Sequence, residues 1–221
     1  DRTRFGDAVQ VRGLTSLNWH EQGFYYTTYP EPAAGKPQSF HQLRFHALGT
    51  HAGKDELVFA DYRNPESRIT AFVDTTSHQL VLEVEGQGLG NAAYFRALDS
   101  DDPSFTPLVE HQDYRFRFAG GSATDLYFVT DLQADNGRLI KVKIDQPERR
   151  YWEDLLAEQQ TDVLQEAWYF SGQWMVHYLR DATSFVLLLD ENGQETRRVF
   201  MPESGTLAGV SRGKHSQELF F

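Results

Sequence analysis

Histidine is the first residue type to consider for metal binding or acid–base chemistry, and the chain contains eight histidines. His41, His46 and His51 recur at intervals of five residues. On extended strands this spacing sends successive side chains to opposite faces, and the outer two lie about 30 Å apart. A shared metal ion is therefore not expected, and the sequence has no HExxH pair. We interpret these three residues, with His111 and His177, as packing or solvated histidines.

Three further segments approach known motifs without completing them. Residues 99–103 (DSDDP) are acidic but lack the Gly and Glu that an EF-hand loop requires, which favours an acidic turn. Residues 86–90 (GQGLG) lie between two strand-like runs, whereas phosphate-binding loops open a helix or end in Gly-Lys-Ser/Thr. Residues 120–124 (GGSAT) lack the closing Gly of a nucleophile elbow. Glu153 and Asp154 are predicted to be solvated. The residues therefore predict no catalytic group, no metal ligand and no cofactor.

Charge and composition restrict the partners. The 21 Lys and Arg against 32 Asp and Glu give a net charge of −11, which argues against nucleic acid and anionic membranes as partners. The longest apolar run, Phe185 to Leu189, is far too short to span a membrane. Cysteine is absent, which excludes disulfides and thiol chemistry and leaves the compartment, cytoplasmic or periplasmic, open.

Short apolar runs between turn residues predict an all-β chain. The one brief helical candidate is Trp152 to Gln159. Asn136-Gly137 and Asn192-Gly193 suggest two type I′ hairpin turns, in which both residues have positive φ.

The chain repeats itself. Similar apolar runs begin at residues 24, 80, 126, 174 and 219, at intervals of 45 to 56 residues. Each is preceded by another run, at 14–19, 69–73, 114–118, 164–170 and 207–210. Third runs lie at 42–48, 92–98, 138–144 and 184–189, and fourth runs at 56–60, 105–109, 152–156 and 198–201. The fourth run at 152–156 could equally be a helical turn.

Four strands per unit at this period are typical of a β-propeller blade. We predict that residues 1–221 form a partial β-propeller domain with about four and a half four-stranded blades. The blades would span residues 14–61, 69–110, 114–157 and 163–202, with a half blade at 206–221. This count does not close a ring, so both ends of the chain are interpreted as truncated.

The strand sequences resemble the prolyl oligopeptidase family of serine peptidases. His46-Ala47-Leu48-Gly49-Thr50 followed by Asp55-Glu56-Leu57-Val58 is similar to that family's "H-x-L-G-T … D-x-L-V" phrase. Similar phrases continue in order along the chain. They are Leu17–Tyr26 with Glu21 in place of the usual Asp, Thr130–Leu139 with Asp135 in place of the usual Pro, Tyr178–Ala182, and Pro202 with Gly205.

This resemblance implies a fold and an activity for the parent protein. Members of the family join an α/β-hydrolase domain, which cleaves short peptides after proline, to a seven-bladed propeller that restricts substrate access. The chain is similar to middle and later blades, and the hydrolase domain is absent. No catalytic residue can be carried over, so the chain alone is predicted to be inactive. The expected partners are the hydrolase domain of the same parent chain and short peptides.

One substrate-binding position can be carried over, and here the chain departs from the family. Members often have an Arg at the end of the second strand in the blade that corresponds to residues 69–109. Glu85 stands there. Because a carboxylate cannot donate a hydrogen bond to a peptide carbonyl, the usual contact is in doubt. Glu85 is the one candidate substrate-binding residue, and an exposed loop glutamate is the alternative interpretation.

Meander topology indicates which loops share a face. Connections between second and third strands emerge at the same end as the links between blades. This set comprises residues 29–37, 85–91, 131–137 and 180–183. If the family arrangement holds, this end meets the hydrolase domain.

Two alternatives remain at this stage, a stand-alone propeller that serves as a binding module and the cap of an oligopeptidase with another specificity. Terminal blades in a partial ring would expose strand edges and apolar faces, so self-association is also expected.

Overall fold

Four-stranded antiparallel meanders make up the regular structure in a computed structural model of the chain. The structure describes residues 7–31, 40–110, 113–170, 172–200, 207, 211–212 and 219–220. The chain divides into two units, Asp1–Phe116 and Arg117–Phe221. Within the described ranges no helix is long and apolar enough to cross a membrane.

The first unit holds two sheets, each in simple meander order. Sheet 1 consists of β1 (Leu17–His20), β2 (Gly23–Thr28), β3 (Gln42–Ala47) and β4 (Glu56–Ala60), with a 3₁₀ turn at Ala52–Lys54. Sheet 2 consists of β5 (Arg68–Asp74), β6 (Gln79–Glu85), β7 (Asn91–Ala97) and β8 (Thr106–Val109).

The second unit repeats this arrangement. Sheet 3 contains β9 (Phe116–Gly121, which begins at the last residue of the first unit), β10 (Asp125–Thr130), β11 (Arg138–Lys143) and β12 (Glu153–Leu156). Sheet 4 contains β13 (Val163–Phe170), β14 (Gln173–Arg180), β15 (Thr183–Asp190) and β16 (Glu195–Phe200). A two-stranded pair, β17 (Ser211–Arg212) and β18 (Leu219–Phe220), follows.

Apolar side chains pack between the two sheets of each unit. In the first unit Tyr25 and Leu43 of sheet 1 pack against Ile69, Leu80 and Leu82 of sheet 2. In the second unit a cluster around the fully buried Trp174 joins sheets 3 and 4. The second strands β6, β10 and β14 carry buried apolar residues on both of their faces, so apolar and polar residues do not alternate along them.

The all-β class and the four repeated sheets predicted from the sequence are confirmed. The helical candidate at Trp152–Gln159 is wrong, because Glu153–Leu156 forms strand β12 after a 3₁₀ turn at Arg149–Tyr151. The first strand of the terminal pair begins at Ser211 rather than at Leu207, which lies outside any strand, and residues 208–210 lie outside the described residues.

The two Asn-Gly turns also differ from the prediction. Gly137 and Gly193 have φ of 78° and 80°, but neither Asn136 nor Asn192 has a positive φ. Asp190 accepts from the amide of Gly193 at 3.0 Å and donates to Gln194 O at 2.9 Å, which describes a three-residue loop with a left-handed glycine. Asn-Gly thus supplies one positive-φ residue here and not two.

Candidate functional site

The end of each sheet that carries the connection between its second and third strands is called the joining end here. In each unit, the chain leaves one sheet and enters the next at this end. Four different acceptors, one per sheet, bind a backbone amide of the segment that follows the sheet. Their residue types differ from sheet to sheet, so no repeated letter in the sequence marks them.

In sheet 1 this acceptor is His41, which directly precedes β3. Its Nδ1 accepts from the amide of Ile69 at 2.9 Å, and its Nε2 lies 3.0 Å from Gly13 O. The imidazole is therefore neutral, with its proton on Nε2. The pKa of His41 is lowered, chiefly by burial; the hydrogen bond to Gly13 opposes this shift and the charge of Arg68 adds to it.

In sheet 2 the acceptor is Asn91, the first residue of β7. Its Oδ1 accepts from the amide of Phe116 at 2.8 Å, and its Nδ2 donates to Phe116 O at 2.9 Å. The preceding residue, Gly90, packs directly on the backbone, since a Cβ there would lie 1.9 Å from Tyr114 O. The glycine-rich segment 86–90 is a sheet connection whose last glycine permits this close approach.

In the second unit the same role falls to a backbone carbonyl and to a serine. Asn136 O accepts from the amide of Leu164 at 2.7 Å, and the Asn136 side chain donates to Gln159 O at 2.9 Å. Ser184 Oγ accepts from the amide of Leu207 at 3.2 Å and shares a 2.8 Å hydrogen bond with His177 Nε2. Burial lowers the pKa of His177, which favours a neutral ring at this contact.

An ion pair strengthens the joining end of sheet 4. Arg180, the last residue of β14, binds both carboxylate oxygens of Asp162, which precedes β13. The guanidinium of Arg180 also lies 5.4 Å from the centre of the Phe185 ring. The hydrogen bond from Arg180 lowers the pKa of Asp162. Two of the three guanidinium nitrogens of Arg180 are therefore already bound to Asp162.

The candidate substrate residue Glu85 ends β6 at the joining end of sheet 2. It is exposed and lies opposite Arg68 on one side and Asn91 on the other. Among the described residues, its side chain forms no hydrogen bond or ion pair. Beside it, Gln87 donates to Glu66 at 2.6 Å, and Leu89 is 94% exposed. The sequence-predicted carboxylate is thus accessible, and its role stays a prediction.

The histidines predicted as packing or solvated residues have distinct local partners. His41, His46 and His177 are buried, and His51 caps the 3₁₀ turn by accepting from Gly53 at 3.0 Å. His111 lies outside the described residues.

His46 forms the densest buried polar group in the first unit. Its Nδ1 lies 2.8 Å from Asp55 Oδ1, and Tyr26 donates to Asp55 Oδ2 at 2.7 Å. Burial, with the Asp55 hydrogen bond second, raises the pKa of Tyr26. Among the described residues, His46 Nε2 has no hydrogen-bond partner, so none of them completes a catalytic triad with His46 and Asp55. The contact explains the spacing of the "H-x-L-G-T … D" phrase, because its first and last residues bind each other and fasten β2, β3 and the β3–β4 connection.

The neighbouring carboxylates Glu153 and Asp154 are not simply solvated, as the sequence suggested. Glu153 lies 2.7 Å from Lys141 Nζ, and Asp154 lies 3.0 Å from Arg138. The hydrogen bond from Lys141 lowers the pKa of Glu153. Each carboxylate therefore has its own cation on the neighbouring strand, an arrangement that holds the edge strand β12 and does not form an acid–base couple.

Successive four-stranded antiparallel meanders joined in this manner define a β-propeller domain. The family model for the N-terminal β-propeller domain of prolyl oligopeptidase matches residues 3–221. The chain therefore belongs to the prolyl oligopeptidase N-terminal β-propeller domain family.

Individual relatives agree with this assignment. The chain is 30% identical over 217 residues to a prolyl endopeptidase from Elizabethkingia meningoseptica, covering 96% of this chain and 30% of that protein. A structure from a study of two prolyl endopeptidases superposes with a TM-score of 0.84 at 22% identity, over 95% of this chain and 32% of that one. Prolyl oligopeptidase B from Galerina marginata, bound to a 35mer substrate, superposes with a TM-score of 0.81 at 18% identity. The superposition covers 93% of this chain and 30% of that one. The chain thus spans about a third of the length of these relatives.

Proposed function

We propose that this chain is the propeller portion of a prolyl oligopeptidase-like serine peptidase and limits which peptides reach a hydrolase domain elsewhere in the same protein. The observation that supports this most strongly is the family match over residues 3–221, together with coverage of only 30% of a prolyl endopeptidase. The described residues hold no assembled nucleophile, base and oxyanion hole, so the parent's chemistry would reside in the other domain.

The joining end is the surface that we assign to the hydrolase domain. In the first unit its buried acceptors His41 and Asn91 fix the connections, while Glu85 and Leu89 project from the same end. A fixed backbone with exposed side chains suits contact with another domain or with a peptide. Glu85 would act by repelling anionic peptides and attracting cationic ones.

The full-length parent protein tests this function. It should hydrolyse a short chromogenic peptide after proline, while the 221-residue chain alone should give no turnover. Cleavage after basic residues instead of proline would identify the cap of a different oligopeptidase. A parent that contains no hydrolase domain would identify a stand-alone binding module and refute the proposal.

The role of Glu85 is tested in the same parent by Glu85→Arg. We expect the ratio of kcat/KM for a cationic peptide over an anionic one to fall by about fivefold or more, since the substitution changes the local charge by two units. The control is Glu56→Arg, which makes the same charge change on an exposed residue of sheet 1, at the end away from its joining end. This variant should leave the ratio unchanged. Equal ratios for the wild type and Glu85→Arg would exclude Glu85 from substrate selection.

We also propose that the isolated chain self-associates through sheet 1. Leu17, Trp19 and Leu57 lie on one face of this sheet and are 47%, 59% and 41% exposed. An apolar face of this kind is normally covered by another sheet. Sedimentation velocity should show a species larger than a monomer that Trp19→Lys shifts toward the monomer. A wild type that stays monomeric at high concentration would contradict this.

A further inference from the structure

The opposite end of the first unit, called the turn end here, brings together side chains that suit a metal ion. His20 is the last residue of β1, and Glu21 lies in the β1–β2 turn of sheet 1. His78 lies in the β5–β6 turn of sheet 2, and Asp99 follows β7. These residues lie in or next to three separate connections of two neighbouring sheets. Up to 79 residues of sequence separate these side chains, so their proximity cannot be read from the sequence.

Three of the ligand atoms are close enough for one ion, and the fourth residue, His78, lies beside one of the three. One ligand atom each from His20, Glu21 and Asp99 lie within 4.8 Å of one another, and His78 Nε2 is 2.8 Å from Asp99 Oδ2. A tetrahedral zinc site with bonds of 2.0–2.1 Å needs ligand atoms about 3.3 Å apart. The side chains of His78 and Asp99 are 65% and 58% exposed, so both can rotate, and rotation of His78 would bring its ring to the ion as the fourth ligand.

The charges of the cluster also favour a cation. Among the described residues, neither Glu21 nor Asp99 forms an ion pair with Lys or Arg. The nearby Arg96 lies instead over the Phe105 ring at 5.0 Å and donates to Pro103 O at 3.3 Å. Within the part of the chain that the structure describes, the two carboxylates thus place two negative charges at the cluster without a Lys or Arg ion pair.

The donor set distinguishes between metals. Two imidazole nitrogens with two carboxylate oxygens are typical of zinc and other late first-row divalent ions, whereas calcium and magnesium prefer oxygen ligands alone. We propose that His20, Glu21, His78 and Asp99 form a zinc-type divalent metal site that fastens sheet 1 to sheet 2 at the turn end. Its role is structural, because all four positions are supplied by the protein.

Calorimetric titration of the metal-free chain with ZnCl2 tests the site. We expect saturable binding of one Zn²⁺ per chain and no comparable binding of Ca²⁺ or Mg²⁺. His78→Ala and Asp99→Asn should each weaken the Zn²⁺ affinity at least about tenfold, since each removes a ligand. Both side chains are largely exposed, so these variants should still fold. His20→Ala is a less suitable test because its ring packs 6.0 Å from Tyr25.

Two control variants separate this site from general surface binding. Asp101→Asn makes the same change as Asp99→Asn at an exposed position in the same connection, and His51→Ala removes an exposed histidine elsewhere. Both should bind Zn²⁺ as the wild type does. With Co²⁺, the wild type should show the visible bands of tetrahedral coordination and His78→Ala should not. Unsaturable binding by the wild type, unchanged affinity in His78→Ala and Asp99→Asn, or equal binding of Ca²⁺ would overturn the proposal.

Discussion

The two ends of the first unit use similar polar residues under opposite conditions. At the joining end His41 and Asn91 are buried, and their side chains bind backbone groups of the next strand. At the turn end His20 ends β1 and is half-buried, its ligand atom lies within 4.8 Å of that of Asp99, and the exposed His78 lies beside Asp99. The side chains of the joining end are thus hydrogen-bonded to the backbone, whereas those of the turn end can bind a ligand.

Burial explains this difference. A backbone amide that is withdrawn from water must find an acceptor, so a buried polar side chain at a strand start has a fixed structural task. An exposed imidazole or carboxylate can exchange bound water for a ligand with only a small change in free energy. The comparison predicts large effects of substitution at the joining end and small ones at the turn end.

The largest effect is expected for Gly90→Ala at the joining end. The new Cβ would lie 1.9 Å from Tyr114 O and 2.1 Å from its carbonyl carbon, which are backbone atoms that cannot rotate away. We expect the free energy of unfolding of the first unit to fall by about 3 kcal/mol or more. Urea unfolding followed by fluorescence measures this, with Gly49→Ala as the matched control because nothing lies within 4 Å of its Cβ. Gly49 has a φ of 79°, so Gly49→Ala should also lower the free energy of unfolding, but by less. Equal losses of unfolding free energy in the two variants would refute the close-approach explanation.

Asn91→Ala should have the next largest effect. It leaves the buried amide and carbonyl of Phe116 without the partners that lie at 2.8 and 2.9 Å. We expect a loss of about 2 kcal/mol and faster hydrogen exchange at the Phe116 amide. Asn91→Asp retains the acceptor but not the donor and should fall between the wild type and Asn91→Ala. A Phe116 amide protected equally in all three proteins would contradict the assignment.

His41 should give the joining end a pH dependence. Its pKa in the folded state is below the ordinary value of 6.5, so above about pH 6.5 the ring is neutral in both folded and unfolded chains. As the pH falls below that value, the unfolded chain takes up a proton that the folded ring resists, and the first unit loses stability. Urea midpoints between pH 8 and pH 5 should fall less steeply for His41→Gln, whereas His51→Gln should follow the wild type. Identical slopes for His41→Gln and the wild type would disprove the contribution.

The smallest effect is expected for His78→Ala at the turn end in metal-free buffer. The side chain is 65% exposed and its one ion pair, with Asp99, is at the surface. We expect a change below about 0.5 kcal/mol in the free energy of unfolding. A loss as large as that of Asn91→Ala would remove the distinction between the two ends.

The repeated strands were predictable from sequence because the pattern of apolar runs and turns recurs in every sheet. Predicted and observed strands coincide at β4 and differ by a residue or so at β5 and β11. In the terminal pair the run that begins at residue 219 coincides with β18, whereas the first strand is predicted too early, at 207–210 instead of Ser211–Arg212. Type I′ turns were predicted at Asn136-Gly137 and Asn192-Gly193 because Asn-Gly favours them, yet the loop lengths selected other geometries.

The sites were less predictable than the strands. Glu85 could be singled out, and the structure shows it accessible at the expected end of its sheet. The joining acceptors were missed because an imidazole, an amide, a backbone carbonyl and a hydroxyl perform the same task. Any acceptor of suitable reach satisfies an amide, so geometry constrains these positions more strongly than residue identity does.

The sequence by itself determined the all-β class, the repeat of four strands and the resemblance to prolyl oligopeptidase propellers. These features depend on the local spacing of apolar and turn residues, which can be read from consecutive positions in the sequence. Only the tertiary structure decided that His41 holds Ile69, that His46 binds Asp55, and that His20 and Glu21 converge on Asp99, with His78 beside it. Such contacts join connections that are distant along the chain, and their positions follow from how neighbouring sheets pack.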